Sequence, residues 1–176
     1  RQRQMCIRDS TTHGYAGGGG FGLNMKGRYR PSIKAFNIER AAHDWLITMS
    51  LEQMYTRFPG LRVVSVENGS DYLALLLRKL SQQASRAPGW FDDDPVELFR
   101  RHVWMNPFWE DDVYELVELM GADHVIFGSD WPHIEGLPQP LDYLVEVKEL
   151  DEEDRRKVLR DNVRGLNAVS YTHLTL

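Results

Sequence analysis

A single cysteine, Cys6, stands among the 176 residues, so no internal disulfide can form and a reducing, cytoplasmic setting is the default. Basic clusters are missing too. The net charge is −5 and lysines and arginines nowhere interleave with aromatics, which argues against nucleic acid as a partner. Apolar runs such as Leu73 to Leu77 fall far short of the roughly 20 residues a bilayer crossing requires, so no membrane partner is expected. Nothing near Arg1 joins a basic start to an apolar stretch and a small-residue cleavage site, so no signal peptide is expected either. There is no Gly-x-Ser-x-Gly elbow, which removes the commonest serine hydrolase. The glycine run from Gly17 to Gly20, with Gly22, lacks the Gly-Lys-Ser/Thr ending of a phosphate loop. A doubly wound nucleotide binder is disfavoured because no Gly-x-Gly-x-x-Gly is placed after a strand.

What is present is ordinary for one globular domain: 42% hydrophobic and 27% charged residues. The two ends, Arg1 to Ser10 and Val169 to Leu176, carry no periodicity that fits their neighbours. Both resemble peptides translated from sequencing-adapter DNA. They are set aside as non-native tails, 1–10 and 169–176, and the domain is read as 11–168. From about Asn37 to Phe58 apolar residues recur every three or four positions, which predicts a helix stopped by Pro59-Gly60. Leu61 to Val66 predicts a strand, Tyr72 to Gln83 a helix capped by Ser70 or Asp71, and Pro95 opens a short helix through Phe99. His102 to Met105 and His124 to Phe127 predict two more strands, with the helix Val113 to Met120 between them, entered through Glu110-Asp111-Asp112 and stopped by Gly121. Pro140 to Glu149 and Asp151 to Leu166 predict closing helices, the second capped by Asp151. Strands alternating with helices predict a parallel α/β sheet, and the pattern fits an open doubly wound sheet as well as part of a barrel.

In either architecture ligands gather at the carboxyl ends of the strands. There the sequence places His13, Glu67, Asn106, Asp130 and His133. Imidazole and carboxylate groups on one rim suit a divalent zinc or manganese ion. Each has a plainer reading. Asp130 could cap the turn before Trp131-Pro132, His13 could be an idle loop residue, Glu67 could serve helix entry, and His133 could lie on the surface. His43 reads as an interhelical histidine, and His102 and His124, at strand starts, receive no role. Trp104, Trp109 and Trp131 suit a flat aromatic substrate or simple rim packing.

The segments RFPGLRVVSVENGS (57 to 70), RRHVWMNPFWEDD (100 to 112) and VIFGSDWPH (125 to 133), in that order, resemble the amidohydrolase-related group that includes aminocarboxymuconate-semialdehyde decarboxylase. The likeness spans roughly 11 to 168 and runs through the closing helix DEEDRRKVLRDNVRGL. It implies a partial TIM (β/α)8 barrel, approximately strands five to eight, from an enzyme holding one divalent metal, zinc before manganese. By position Asp130 matches the family's strand-eight aspartate and His13 its strand-five histidine, which makes them the candidate metal ligands. Glu67 falls where many members carry a strand-six histidine. With Asp130 and His133 it completes the candidate catalytic set, although a carboxylate there needs a raised pKa to act as an acid. The implied reaction is hydrolysis or non-oxidative decarboxylation of a small, carboxylic substrate. The parent enzyme is expected as a homo-oligomer, and the fragment as inactive and self-associating. The rival expectation is a non-catalytic α/β binding or scaffolding domain that has lost the metal site.

Overall fold

A computed structural model of the chain describes residues 4–6, 33–132 and 136–167. Three strands lie side by side in sequence order and all parallel: β1 (Gln4–Cys6), β2 (Arg62–Val66) and β3 (Val103–Asn106). Val63 faces Val103 and Val66 faces Asn106, so the carboxyl ends of β2 and β3 are level. β1 falls inside the tail that the sequence sets aside for want of strand periodicity. A free strand edge offers a row of backbone donors and acceptors whatever the side chains of the segment that pairs with it, which is how a short unpatterned stretch comes to lie there.

Residues 124–127 take the fourth place, beside β3, through one parallel bridge between Val125 and Met105 and the hydrogen bond from the Ile126 amide to the Met105 carbonyl at 2.9 Å. This is less than the full strand expected, and the reason is visible on the outer edge. The Phe127 amide donates to the Val158 carbonyl at 3.0 Å, and the Asn162 side chain donates to the carbonyls of Ala122 and Val125, each at 2.7 Å. A helix, not a strand, therefore satisfies that edge. The helix can do so because a π turn over Lys157–Asp161 loosens its ladder where Val158 sits, between α7 (Glu152–Arg156) and α8 (Asn162–Asn167).

The remaining helices are α1 (Ile33–Leu51), α2 (Met54–Arg57), α3 (Leu73–Arg86), α4 (Pro95–His102), α5 (Val113–Met120) and α6 (Tyr143–Glu146). Their apolar stripes meet one face of the sheet: Leu46 of α1, Leu73, Leu76 and Leu80 of α3 and Phe99 of α4 are buried with Val63, Val103 and Met105. On the opposite face Val64, Ile126 and Leu166 form a smaller cluster with Trp104 and Val163. Cover on both faces is what a parallel sheet of β-branched residues needs.

Caps fall where short polar residues precede helices. Asp94 accepts from the Val96 amide, Asp112 from Tyr114 and Glu115, and Asp151 from Asp154. Three helices depart from expectation. α3 begins after Tyr72 with no side-chain cap, so neither Ser70 nor Asp71 caps it, and the Ser70 hydroxyl donates to Asp111 instead. The stretch read as one helix to Phe58 breaks between α1 and α2 at Gln53, which takes φ 53° and donates its side chain to the Trp90 carbonyl at 2.8 Å. The stretch Pro140 to Glu149 holds only a 3-10 turn (Pro140–Asp142) and α6.

Candidate active site

The amino ends of the strands are bound together by histidines. His102, just before β3, donates from Nδ1 to the Leu61 carbonyl at 2.7 Å and stacks on Tyr55 with ring centroids 5.2 Å apart. His124 repeats the arrangement one strand on, reaching the Val103 carbonyl at 3.1 Å, and burial lowers its pKa. Both fill backbone acceptors at the rim opposite the candidate site. Trp104 belongs to this end as well. Its indole N–H donates to the Asp123 carbonyl at 3.0 Å and its ring lies 4.5 Å from His124. Of its two readings, substrate platform and packing, these contacts are packing.

The carboxyl ends have a different backbone. Among the described residues Gln53, Glu67 and Asp130 are the non-glycine positions with positive φ; Glu67, at 53°, directly follows β2, and Asp130, at 52°, lies three positions beyond the segment 124–127. Holding an L-residue there costs roughly 1–2 kcal/mol. Such strain persists where the surroundings over-determine it, and it gathers at functional sites. Glu67 is followed by Asn68, buried, whose side chain donates back to the Val66 carbonyl at 2.8 Å. Gly69 then turns the chain at φ 68°, and a Cβ on it would stand 2.8 Å from Oε1 of Glu39.

The Asp130 turn is closed by the returning chain. The Leu137 amide donates to the Ser129 carbonyl at 2.8 Å, and a Cβ on Gly136 would stand 2.6 Å from the Asp130 carbonyl oxygen. β2 and residues 124–127 flank β3, so Glu67 and Asp130 sit at one rim on either side of the Asn106 strand end. His13 and His133 lie outside the described residues. Trp109 and Trp131 are partly and largely exposed.

The same rim gathers acids that the sequence reading missed as a group. Asp111 accepts from the Ser70 hydroxyl at 2.9 Å and from the Phe108 amide at 3.1 Å, joining the loops after β2 and β3. Burial, outweighing those hydrogen bonds, raises its pKa, with Asp71 adding to the rise. Glu39 on α1 is raised by burial first, then by the charges of Asp71 and Asp111. Sequence offered one signal, the run Glu110-Asp111-Asp112. Its members divide the work: Asp112 caps α5 and Asp111 ties the loops. Nothing local marks Glu39, because its partners are brought to it from distant loops.

A parallel α/β sheet with strained carboxylates at its carboxyl rim defines the class of protein: an α/β fold, in which ligands bind beyond the carboxyl ends of the strands. Residues 38–165 match the model of the amidohydrolase family, and the chain belongs to that family. Among solved structures it is similar to an amidohydrolase from Mycobacterium avium subsp. paratuberculosis K-10, with 40% identity over 81% of this chain and a TM-score of 0.75. It spans 37% of that protein's chain. It shares its fold with 5-carboxyvanillate decarboxylase from Sphingomonas paucimobilis, at 18% identity over 82% of this chain and 44% of the decarboxylase, with a TM-score of 0.57. These neighbours have the TIM-barrel amidohydrolase fold. No curated protein matches the chain. No helix among the described residues is long and apolar enough to cross a membrane.

Members of the family are generally metal-dependent. The chemistry of Asp130 and Glu67, carboxylate oxygens on one rim, fits a divalent cation. The set is incomplete among the described residues, where no three His, Cys, Asp or Glu side chains come together to hold an ion.

Proposed function

We propose that this chain is the carboxyl-terminal half of a (β/α)8 barrel, strands five to eight, from a metal-dependent amidohydrolase-related enzyme. Its reaction is hydrolysis or non-oxidative decarboxylation of a small, aromatic or unsaturated carboxylic acid. The observation that carries this reading is the pair of left-handed carboxylates, Glu67 and Asp130, at the carboxyl ends of parallel strands in a chain of this family. Asp130 and His13 would hold the metal, and Glu67 and His133 would face the substrate beside it. When bound, a divalent ion polarises a substrate oxygen or activates water. What the chain itself contributes is a fixed Asp130 backbone, set by Gly136 and the Leu137–Ser129 hydrogen bond, and a second carboxylate, Glu67, on a strand end whose Val66 carbonyl accepts from the Asn68 side chain.

Equilibrium dialysis against zinc and manganese, followed by metal analysis, tests the reading. Retention is expected to be weak, as two ligands hold zinc poorly, and to disappear in Asp130→Asn. Equal retention by wild type and Asp130→Asn would remove Asp130 from the site. A non-catalytic α/β domain is the second reading, favoured by Glu67 standing where the resemblance places a histidine. It predicts no retention by the wild type.

A further inference from the structure

We propose that Asn106 is a positioning residue for Asp130, acting through Gly128; the inference deepens the reading of Asp130 as a metal-facing carboxylate and rests on it. Asn106 ends β3 and is 3% exposed. Its side-chain amide nitrogen lies 3.3 Å from the Ile126 carbonyl and 3.3 Å from the Pro107 carbonyl. It thus bridges its own strand end to the neighbouring segment at the point where that segment leaves the sheet. Beyond Ile126 the chain passes directly over the amide: a Cβ on Gly128 would stand 3.0 Å from Oδ1, 3.1 Å from Nδ2 and 3.3 Å from Cγ. Gly128 is therefore the residue that lets the backbone lie on the Asn106 amide, two positions before Asp130. On the far side Gly136 and the Leu137–Ser129 bond close the turn. Asp130 is thus held from before and after, which is the over-determination its left-handed conformation needs.

The residue type fits the task. The site needs a donor toward two carbonyls, and a neutral amide supplies it. An aspartate could only accept, and would add a third negative charge between Glu67 and Asp130. A leucine has the volume and no donor, leaving the Ile126 carbonyl at the strand end without its side-chain partner.

The test uses the isotopically labelled chain and manganese ions, whose paramagnetic broadening of amide signals reports weak binding, together with amide exchange at Leu137. In the wild type Leu137 is expected to be protected and broadening to centre on residues 128–131. Asn106→Leu should keep its circular dichroism and cooperative unfolding, yet speed Leu137 exchange about tenfold or more, as local opening does. It should also lose the broadening. Gly128→Ala, which keeps the amide but pushes the chain off it, should reproduce both effects if Asn106→Leu fails to fold. Wild-type exchange and broadening in either folded variant would overturn the proposal. Asp130→Asn distinguishes the underlying reading: broadening that survives it, or that never occurs in the wild type, overturns Asp130 as a ligand, while exchange at Leu137 still judges Asn106.

Discussion

The two ends of the same strands are built on opposite principles. At the amino ends, His102 and His124 fill backbone acceptors, pack on Tyr55 and Trp104, and sit on backbone without left-handed residues. At the carboxyl ends, Glu67 and Asp130 are strained, and the loops beyond them draw Glu39, Asp71 and Asp111 together against their own repulsion. The difference teaches where a substitution can relieve backbone strain at the edge of the sheet.

Five substitutions would break or sharpen that contrast. The largest effect belongs to the amino end. His102→Ala removes a buried donor and an aromatic stack, and should cost about 3 kcal/mol. Calorimetry would read this as a fall in Tm of roughly 6–12 °C. Next comes Gly136→Ala, where the new methyl meets the Asp130 carbonyl. A loss of about 1–3 kcal/mol is expected, with exchange faster at Leu137 and unchanged in α3. Third, Glu67→Gly should do what glycine in place of a folded residue rarely does, raising stability by about 1 kcal/mol in urea unfolding as strain is relieved. A loss of similar size there would remove strain from the account of this rim.

The smallest effect is on pH, and its sign separates the rims. His124 has a folded pKa below its ordinary value of 6.5, so its contribution is present above that pH and lost as pH falls further. Glu39 has a folded pKa above 4.5, so folding favours its protonated form, and stability falls as pH rises from there. Urea midpoints across pH should therefore show an acid-side loss that His124→Gln abolishes, and a loss on raising pH that Glu39→Gln abolishes. If both variants changed the same limb, the two ends would not be electrostatically distinct.

Much of the frame was legible in residues. The spacing of Leu73, Leu76, Leu77 and Leu80 reports the buried stripe of α3, and Asp151 caps its helix in the manner its short acceptor permits. The resemblance carried by 57 to 70, 100 to 112 and 125 to 133 agrees with the family match over residues 38–165. The break at Gln53 was not legible, because the side chain that holds it reaches Trp90, far along the chain. Nor was the thin pairing of residues 124–127, since HVIF has strand composition and only the arrival of Val158 and Asn162 decides who satisfies its outer edge.

The sequence by itself determined which residues prefer helix, strand or turn, and which carboxylates follow strands, because those preferences depend on neighbours a few positions away. The tertiary structure alone decided that Asn106 lies under Gly128, that Gly136 closes on Asp130, and that Glu39 lies against Gly69. Each is a contact between segments distant in the chain. Such contacts form only when the sheet brings separate strand ends to one rim, where burial and repulsion act between groups the sequence keeps apart.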